Sequence, residues 1–405
     1  MAREIRIEEF LMFGIRFNEI ALVIAILAVL AVTVVLDSNR SYITNPQVNA
    51  VEIGRQTALL GIFALGAMVV IVSGGIDLSA GSMIAFSGAV IACTMLALKT
   101  WTVTAGLPEW SIVVLGISAG LFSGFLVGTL HAWLVTCIGL PPFVATLSTL
   151  VGLRSLARIL CEFTTITAVG SKKAQIVVEQ QFFTWFSDPE RVWIWIVILC
   201  LLALGTWILM SWTVLGRHLY AMGGNEQAAK LSGIRTDRLK WFSYVFGAMT
   251  ASLAGVFYLA NEGVSAPVTQ GQGHELKAIA AAVVGGCSLQ GGVGTVSGAL
   301  LGALFLRIVI DSVSKIIKTG ADIWEGLIVG LVVVIAVTFS QLNQFRASGR
   351  KIFPGWMGVW SVGILSATTA FLMLTTKGPG FALAAIPVVV VILGGWKFIE
   401  SRGNR

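Results

Sequence analysis

The chain has 405 residues, of which 56% are hydrophobic and only 12% are charged, and its formal net charge is +7. Soluble globular proteins carry roughly 25% charged residues, so this composition excludes an ordinary soluble domain and indicates a membrane protein. The positive charge does not indicate a nucleic-acid-binding protein, because the basic residues collect in alternate loops, as the positive-inside rule requires.

Apolar segments long enough to cross a hydrocarbon core, which takes about 17 to 25 residues, recur along almost the whole sequence. We predict an all-α, polytopic bundle of transmembrane helices with about ten core spans and about two further spans near the C-terminus. The fifth span carries Arg154 and Arg158, and the eighth is short. The predicted spans cover residues 20–36, 57–72, 78–98, 112–136, 140–160, 192–212, 241–260, 276–287, 293–310, 323–340, 356–374 and 381–396.

The stretch VSGGIDLSAGS, residues 72–82, places the carboxylate of Asp77 between two apolar segments. The pair Gly74 and Gly75 suits the end of one helix, and Asp is a favourable N-cap for a helix that begins at Leu78. A carboxylate is costly in lipid, so Asp77 alternatively lines a transport pathway beside a broken helix. Both interpretations are open, and they are compatible.

A second stretch, GGCSLQGG at 285–292, shares the pattern Gly-Gly-x-x-Leu-x-x-Gly with GGIDLSAG at 74–81. The shared pattern predicts that a helix stops and a new one starts at both places, and it suggests an internal duplication. The residues predicted to line a pathway or to mark a helix break are Gly74, Gly75, Asp77, Ser79, Pro141, Pro142, Gly285 and Gly286.

Two arginines one helical turn apart, Arg154 and Arg158, are predicted near the external end of the fifth span, with Glu162 one turn further. Basic residues on that face run against the positive-inside bias. We therefore predict that they receive acidic groups of a partner protein on the outer surface. The alternatives are an internal ion pair or snorkelling of the side chains to the membrane interface.

The loop 213–240 is the most informative polar stretch. Asn225 can cap a helix over residues 226–232, Glu226 and Lys230 form an i, i+4 pair in the favourable order, and Gly233 suits the left-handed position after a helix. One interpretation is a solvated helical connector. The other is a docking element, because the small residues Ala228 and Ala229, predicted on its surface, can enter a groove on a partner.

The basic residues predict the orientation in the membrane. With twelve crossings, four groups of Lys and Arg fall on one side, which the positive-inside rule assigns to the cytoplasm. Both termini and the loop 213–240 are therefore predicted to be cytoplasmic. The four groups comprise Arg3, Arg6, Arg16, Arg217, Lys230, Arg235, Arg238, Lys240, Arg346, Arg350, Lys351, Lys397, Arg402 and Arg405.

The sequence contains no Gly-x-x-x-x-Gly-Lys-Ser/Thr phosphate-binding loop, so ATP-driven work requires another polypeptide. The five cysteines and three histidines show no metal-ligand spacing, and neither a metal nor a cofactor is predicted. A secondary transporter driven by protons or sodium is an alternative, since such carriers use broken helices. The charges inside the predicted spans are few, however. A membrane enzyme is a further alternative, but nothing resembles a catalytic pair.

Four blocks of sequence together resemble the membrane-spanning permease subunit of bacterial ATP-binding-cassette sugar importers of the ribose, xylose and galactose type. They are GGIDLSAGS, LPPFVATLSTLVGLRSLA (140–157), LGRHLYAMGGNEQAAKLSGI (215–234) and ELKAIAAAVVGGCSLQGGVGTVSGALLGA (275–303). The resemblance covers roughly residues 45–340. Branched-chain amino-acid permeases share this general layout and differ in substrate.

The resemblance implies a subunit of the bacterial inner membrane, in contact with lipid, that transports by alternating access and is not an enzyme. It implies three partners: cytoplasmic ATPase subunits, a periplasmic sugar-binding protein, which Arg154 and Arg158 would contact, and a second permease subunit, identical or closely related. It also implies that the helix carrying Glu226, Ala228 and Ala229, capped by Asn225 and followed by Gly233, couples the chain to the ATPase.

The chain departs from the commonest members of that family in its length. We predict a permease core over residues 1–345 and a C-terminal extension over residues 346–405 with about two further spans. The loop at 161–191 is also long. Larger members of the xylose-like branch resemble the chain more in size, which favours a pentose as the substrate.

Overall fold

The computed structural model describes residues 17–101, 106–317, 324–332 and 355–377, together with the isolated positions 334, 338 and 387. The chain divides into two compact units, residues 1–337 and 338–405. The basic residues at both ends of the sequence and the predicted span 381–396, except for position 387, lie outside the described residues, as do seven of the eighteen residues of the span 323–340.

The described residues are almost entirely helical, which confirms the predicted helical bundle. In the first unit the helices are α1 (Phe17–Leu36), α2 (Ser41–Thr44), α3 (Pro46–Val72), α4 (Ala80–Thr100), α5 (Glu109–Thr136), α6 (Pro142–Val169), α7 (Gln181–Ser187), α8 (Val192–Trp212), α9 (Val214–Gly224), α10 (Glu226–Leu231), α11 (Thr236–Glu262), α12 (His274–Val284), α13 (Val296–Ile316) and α14 (324–332). The second unit contains α15 (Gly355–Lys377). Two residue pairs, β1 (Ile176–Val177) and β2 (Val264–Ser265), form a short antiparallel ladder.

Eight helices of the described residues are long and apolar enough to cross a membrane: α1, α3, α4, α5, α6, α8, α11 and α13. The predicted span 276–287 is wrong as a full crossing, because α12 has 11 residues. At 1.5 Å per residue it is about 16 Å long, roughly half of a hydrocarbon core. The sequence window was apolar enough to suggest a span, but glycines at both ends limit the helix.

Contacts at the helix ends define two opposite ends of the first unit. At the α10 end, the Gly292 amide donates to the Val72 carbonyl (2.9 Å) and the Tyr220 hydroxyl donates to the Gly294 carbonyl (2.9 Å). At the β1 end, Lys99 pairs with Glu179 (3.2 Å). The long helices run between these ends, as expected of a bundle that spans a membrane.

Helix α3 lies at the centre of the bundle, because 78% of its most apolar window is buried, against 22% for α1, α6 and α8. It packs against α11, and α11 packs against α5. Glycine allows the close α5–α11 approach: a Cβ on Gly128 would lie 2.5 Å from the Val245 Cα. Gly124, one turn earlier in α5, allows the same approach, because a Cβ there would lie 2.9 Å from the Ala248 carbonyl oxygen.

The long loop before α8 folds over the β1 end. Strand β1 pairs with β2, α7 buries Phe183 and Phe186, and Phe186 packs against Trp195 and Phe257. Aromatic rings in edge-to-face and stacked pairs of this kind contribute stability beyond the area they bury. This loop is therefore a packed element of the first unit.

Candidate functional site: a cavity between two helix breaks and the α10 loop

The first helix break follows α3. The Gly74 amide donates to the Ile71 carbonyl and the Gly75 amide donates to the Val70 carbonyl, both at 2.9 Å, and Gly74 has φ +84°. These two bonds and the left-handed residue form a Schellman motif, for which glycine is favoured because it has no Cβ to clash. The predicted helix stop at Gly74 is confirmed.

Asp77 is buried in the segment that links the two helices, with 7% of its surface exposed. Its Oδ1 accepts hydrogen bonds from the Ser79 amide (2.8 Å) and the Ser79 hydroxyl (2.6 Å). The next helix begins at Ala80 and not at Leu78, so Asp77 is not its N-cap. By accepting these bonds, the carboxylate stabilises a turn over residues 77–79, which therefore do not form the first turn of the helix.

Thr146 of α6 binds the linker on both sides of Asp77. The Thr146 hydroxyl donates to the Ile76 carbonyl and accepts from the Leu78 amide, both at 3.2 Å. His131 of α5 lies nearby, fully buried, with its Nε2 2.7 Å from the Thr149 hydroxyl. These contacts satisfy backbone groups that have no helical partner, as a buried non-helical segment requires.

The second helix break follows α12 and is built in the same way. The Gly286 amide donates to the Val283 carbonyl (2.9 Å), the Cys287 amide donates to the Ala282 carbonyl (3.0 Å), and Gly286 has φ +96°. Gly285, also predicted at this break, allows close packing: a Cβ there would lie 2.2 Å from the Gly298 carbonyl oxygen. The chain therefore turns back as α13 tightly against α12.

The two breaks and the end of α9 meet through backbone atoms. A Cβ on Gly291 would lie 2.9 Å from the Gly74 Cα, and a Cβ on Gly223 would lie 1.8 Å from the Val72 carbonyl oxygen and 2.6 Å from the Gly292 amide nitrogen. Side chains are excluded at such distances. The three segments therefore form one glycine junction at the α10 end, defined by Gly74, Gly223, Gly291 and Gly292.

Helix α10 has the predicted caps. The Asn225 side chain accepts from the Ala228 amide (3.0 Å), and Gly233, with φ +83°, closes a third Schellman motif after α10. Glu226 pairs with Lys230 (3.0 Å) as predicted, and also with Lys240 at the start of α11 (2.7 Å). Partial burial opposes ionisation, but hydrogen bonds from Lys240 and Lys230 outweigh it and lower the pKa of Glu226.

The exposed face of α10 differs from the predicted one. Ala229 is 5% exposed and packs into the protein, so its placement on the surface is wrong. Ala228 is exposed, and Leu231 is 90% exposed. The helical period explains the difference: once Ala229 faces inward, Ala228 and Leu231, three residues apart, share the outer face.

A cavity of about 470 Å³ lies between these elements and brings several predicted residues together. Both breaks, the α5–α6 turn and the α10 loop contribute to its walls. The lining includes Gly74, Gly75, Pro141, Pro142, Asn225, Glu226, Lys240, Tyr244 and Gln290. Asp77, Ser79, Gly285 and Gly286 are not among its lining residues. The mixture of charged, amide and phenol groups makes the cavity polar, in a bundle whose other surfaces are largely apolar.

Arg154 and Arg158 do not form a pair on the outer surface. Arg154 lies near the midpoint of α6, where its Nη1 donates to the carbonyls of Pro267 (3.0 Å), Val268 (3.3 Å) and Gln270 (2.9 Å). Its predicted position at the helix end is wrong. Arg158 is more exposed and pairs with Glu162 at 2.8 Å, the internal ion pair that was the alternative.

Lys240, Tyr244 and Gln290 line the cavity and were not predicted. Lys240 and Tyr244 lie one turn apart on α11, which the sequence alone indicates. Their contacts with Glu226 and Gly75 join residues far apart in the chain, and no local pattern reports them. Within the described ranges, no group of three or more His, Cys, Asp or Glu side chains is arranged to hold a metal ion.

Residues 49–337 match the family described as the permease component of branched-chain amino acid transport systems. The chain belongs to this permease family. The match includes both helix breaks, the α10 loop and every residue that lines the cavity. The permease is therefore a transport subunit and not an enzyme, as predicted, and it is a multi-pass membrane protein.

Curated relatives carry sugar names. The permease is 32% identical to the ribose import permease protein of Escherichia coli (strain K12) over 328 residues, which are 79% of this chain and 93% of that protein. It is 32% identical to the ribose import permease protein of Bacillus subtilis (strain 168), over 72% and 84%. It is 28% identical to the xylose transport system permease protein of Escherichia coli (strain K12), over 74% and 86%. No solved structure matches it.

Proposed function

We propose that this permease is the membrane-spanning subunit of an ATP-binding-cassette importer that moves a monosaccharide across the bacterial inner membrane by alternating access. A periplasmic binding protein delivers the sugar, separate ATPase subunits supply the work, and a second permease subunit, identical or closely related, completes the pathway. Residues 346–405 extend the permease core. The names of the ribose and xylose relatives support a sugar, and a pentose in particular.

The observation that carries the proposal is the exposed face of α10. This short helix has both ends capped, stands in a loop with five basic and two acidic residues over 213–240, and presents Leu231 with 90% of its surface exposed. An apolar side chain at this exposure, on a capped helix in a polar loop, can enter a hydrophobic groove on a partner protein. We assign that groove to the ATPase.

The charge distribution supports a cytoplasmic α10 end. The loop 213–240 carries a net charge of +3 (five basic minus two acidic), whereas residues 170–191 at the β1 end carry three basic and three acidic residues. The start of α1 lies at the α10 end, because the Ser297 and Thr295 hydroxyls donate to Glu19 (2.6 and 3.1 Å). The N-terminal side of α1 is then also cytoplasmic.

The test is uptake of labelled ribose, xylose and leucine by cells that lack the permease, with and without the chain restored. We expect uptake of one sugar to return with the chain, to stop when arsenate depletes ATP, and to survive an ionophore that collapses the proton gradient. Leucine uptake alone would indicate the amino-acid branch. Uptake that follows the ion gradient would indicate a secondary transporter and contradict the proposal.

Leu231→Gln tests the docking face. Because Leu231 contacts little of the permease itself, we expect membrane abundance to stay normal while co-purification of the ATPase and sugar uptake both fall about ten-fold, as expected for a buried interface anchor. Gln227→Ala, which shortens a polar side chain on the same exposed face, is the matched control and should change both by less than about two-fold. Normal co-purification with Leu231→Gln would contradict docking through α10.

A further inference from the structure

The contacts of α10 identify a link from its outer face to the first helix break. Glu226 of α10 pairs with Lys240 of α11 at 2.7 Å, and the side chain of Lys240 is only 22% exposed. Lys230 also pairs with Glu226, at 3.0 Å, but it belongs to α10 itself. Of these two ion pairs, only the one with Lys240 joins α10 to another helix.

Helix α11 contacts the first break with the turn that follows Lys240. The hydroxyl of Ser73 donates to the Ser243 hydroxyl (3.1 Å). The Tyr244 hydroxyl oxygen would be 2.8 Å from a Cβ on Gly75, so the phenol lies directly against the break. Lys240 and Tyr244 are four residues apart and therefore lie on one face of α11, and both line the cavity.

We propose that the Glu226–Lys240 ion pair is the positioning contact through which movement of α10 reaches the helix break at Gly74 and Gly75. When α10 shifts, the ion pair moves the start of α11, and Ser243 and Tyr244 carry the shift to the break. Helix α11 is continuous over 27 residues, so its first two turns move together. The inference rests on the proposed docking of α10 to an ATPase.

The strength of the link comes from its partial burial. A fully exposed ion pair contributes about 0.2 to 1 kcal/mol because water and salt screen it. Glu226 and Lys240 instead face a cavity, and the pKa of Glu226 is lowered, so the carboxylate is charged at neutral pH. Coupling between two linked sites typically changes an equilibrium by about 5- to 150-fold in total.

The experiment compares Lys240→Met with Lys230→Met. Sugar uptake is measured in cells, and ATP hydrolysis is measured on the complex that co-purifies with the tagged permease; the ratio of the two is independent of abundance. We expect Lys240→Met to lower uptake per ATP hydrolysed about ten-fold, with the ATPase still bound. Lys230→Met, which removes a pair within α10, should stay within about two-fold of the unaltered protein.

A charge exchange supplies the second readout. Glu226→Lys combined with Lys240→Glu, both in the Lys230→Met background to avoid repulsion within α10, rebuilds the ion pair with reversed polarity. The comparison is with Lys240→Glu alone, also in the Lys230→Met background. A higher uptake per ATP hydrolysed in the double exchange than in that variant supports the link. Equal ratios for Lys240→Met and Lys230→Met, or no recovery on exchange, would overturn it. Absence of the ATPase from the unaltered complex would instead refute the proposed function.

Discussion

The two helix breaks of this permease share a glycine pattern and a Schellman motif, but the segments after them differ. After Gly74 the chain is non-helical until α4 begins at Ala80, and it buries a carboxylate, Asp77. After Gly286 it makes a tight loop with further positive-φ glycines at Gly291 and Gly292. One break therefore depends on a polar side chain, and the other depends on backbone packing.

When the two sequence patterns are aligned, the ends of the two helices do not match and differ by one residue. The pattern matches Gly74 with Gly285, whereas the left-handed helix ends are Gly74 and Gly286. At the fourth pattern position, Asp77 accepts from the Ser79 amide (2.8 Å) and Ser288 accepts from the Gln290 amide (3.3 Å). The turns correspond, but the acceptor at the first break is charged and its bond is shorter.

This difference indicates that similar glycine patterns have two uses in one bundle. At the second break, glycine lets α12 and α13 approach so closely that carbonyl oxygens occupy the space of a side chain. At the first break, glycine ends α3 and frees a segment that Thr146, Ser243 and Tyr244 hold from neighbouring helices. The first break is therefore the one that side chains from neighbouring helices hold.

The largest expected effect concerns Gly223, which touches both breaks. In Gly223→Ala the new Cβ would lie 1.8 Å from the Val72 carbonyl oxygen and 2.6 Å from the Gly292 amide nitrogen, so the backbone must shift. We expect a loss of about 3 kcal/mol or more in the free energy of unfolding, as for severe overpacking. The measurement is the melting temperature of the purified permease in detergent, with its abundance in membranes.

The adjacent glycine supplies the control. A Cβ on Gly224 meets nothing within 4 Å, so Gly224→Ala should melt within a few degrees of the unaltered protein. If both variants melted alike, the glycine junction between the breaks would not be a close backbone contact.

Much of this architecture could be predicted from the sequence because its signals are local. The caps at Asn225 and Gly233 and the helix stop at Gly74 follow from residue types whose backbone preferences are strong. The long spans follow from length and hydropathy alone. These features require no knowledge of which helices become neighbours.

Features that depend on neighbouring helices could not be predicted in this way. The side on which Ala229 lies is decided by how α10 packs on the protein. The apolar window at 276–287 does not reveal that α12 begins inside the bundle, where His274 stacks on Phe63 of α3.

Arg154 was predicted near the external end of a span because the predicted span ended at residue 160, whereas α6 continues to Val169. The loop 267–270, which accepts its hydrogen bonds, is more than a hundred residues away in the sequence, so no local pattern indicates the contact.

Arg154 tests whether α12, the shorter of the two helices that lead into the breaks, needs a side chain from another helix to anchor it. Helix α3 has 27 residues, whereas α12 has 11 and is preceded by a loop whose carbonyls Arg154 binds. Arg154→Met leaves three carbonyls without a charged donor. We expect a loss of about 2 to 3 kcal/mol, whereas Arg158→Met, which breaks an exposed ion pair, should cost less than about 1 kcal/mol.

The measurement is again the melting temperature in detergent, now with Arg154→Lys as a third variant. Lysine retains the charge, but its ammonium group sits on a flexible stem and is more strongly hydrated than a guanidinium, so it should restore only part of the stability. Similar losses for Arg154→Met and Arg158→Met would show that the loop before α12 does not need this anchor.

The smallest expected effect concerns the two hydrogen-bond acceptors that follow the breaks, Asp77 and Ser288. Asp77→Ala removes two hydrogen bonds to a buried carboxylate, from the Ser79 amide and hydroxyl, and should cost about 1 to 2 kcal/mol. Ser288→Ala removes one longer bond between neutral groups and should cost about 0.5 kcal/mol. Asp77→Asn keeps an acceptor oxygen without the charge, so its stability should fall between that of the unaltered protein and that of Asp77→Ala. A melting temperature for Ser288→Ala at or below that of Asp77→Ala would mean that the carboxylate does not distinguish the first break, and that the two turns are held by their backbones alone.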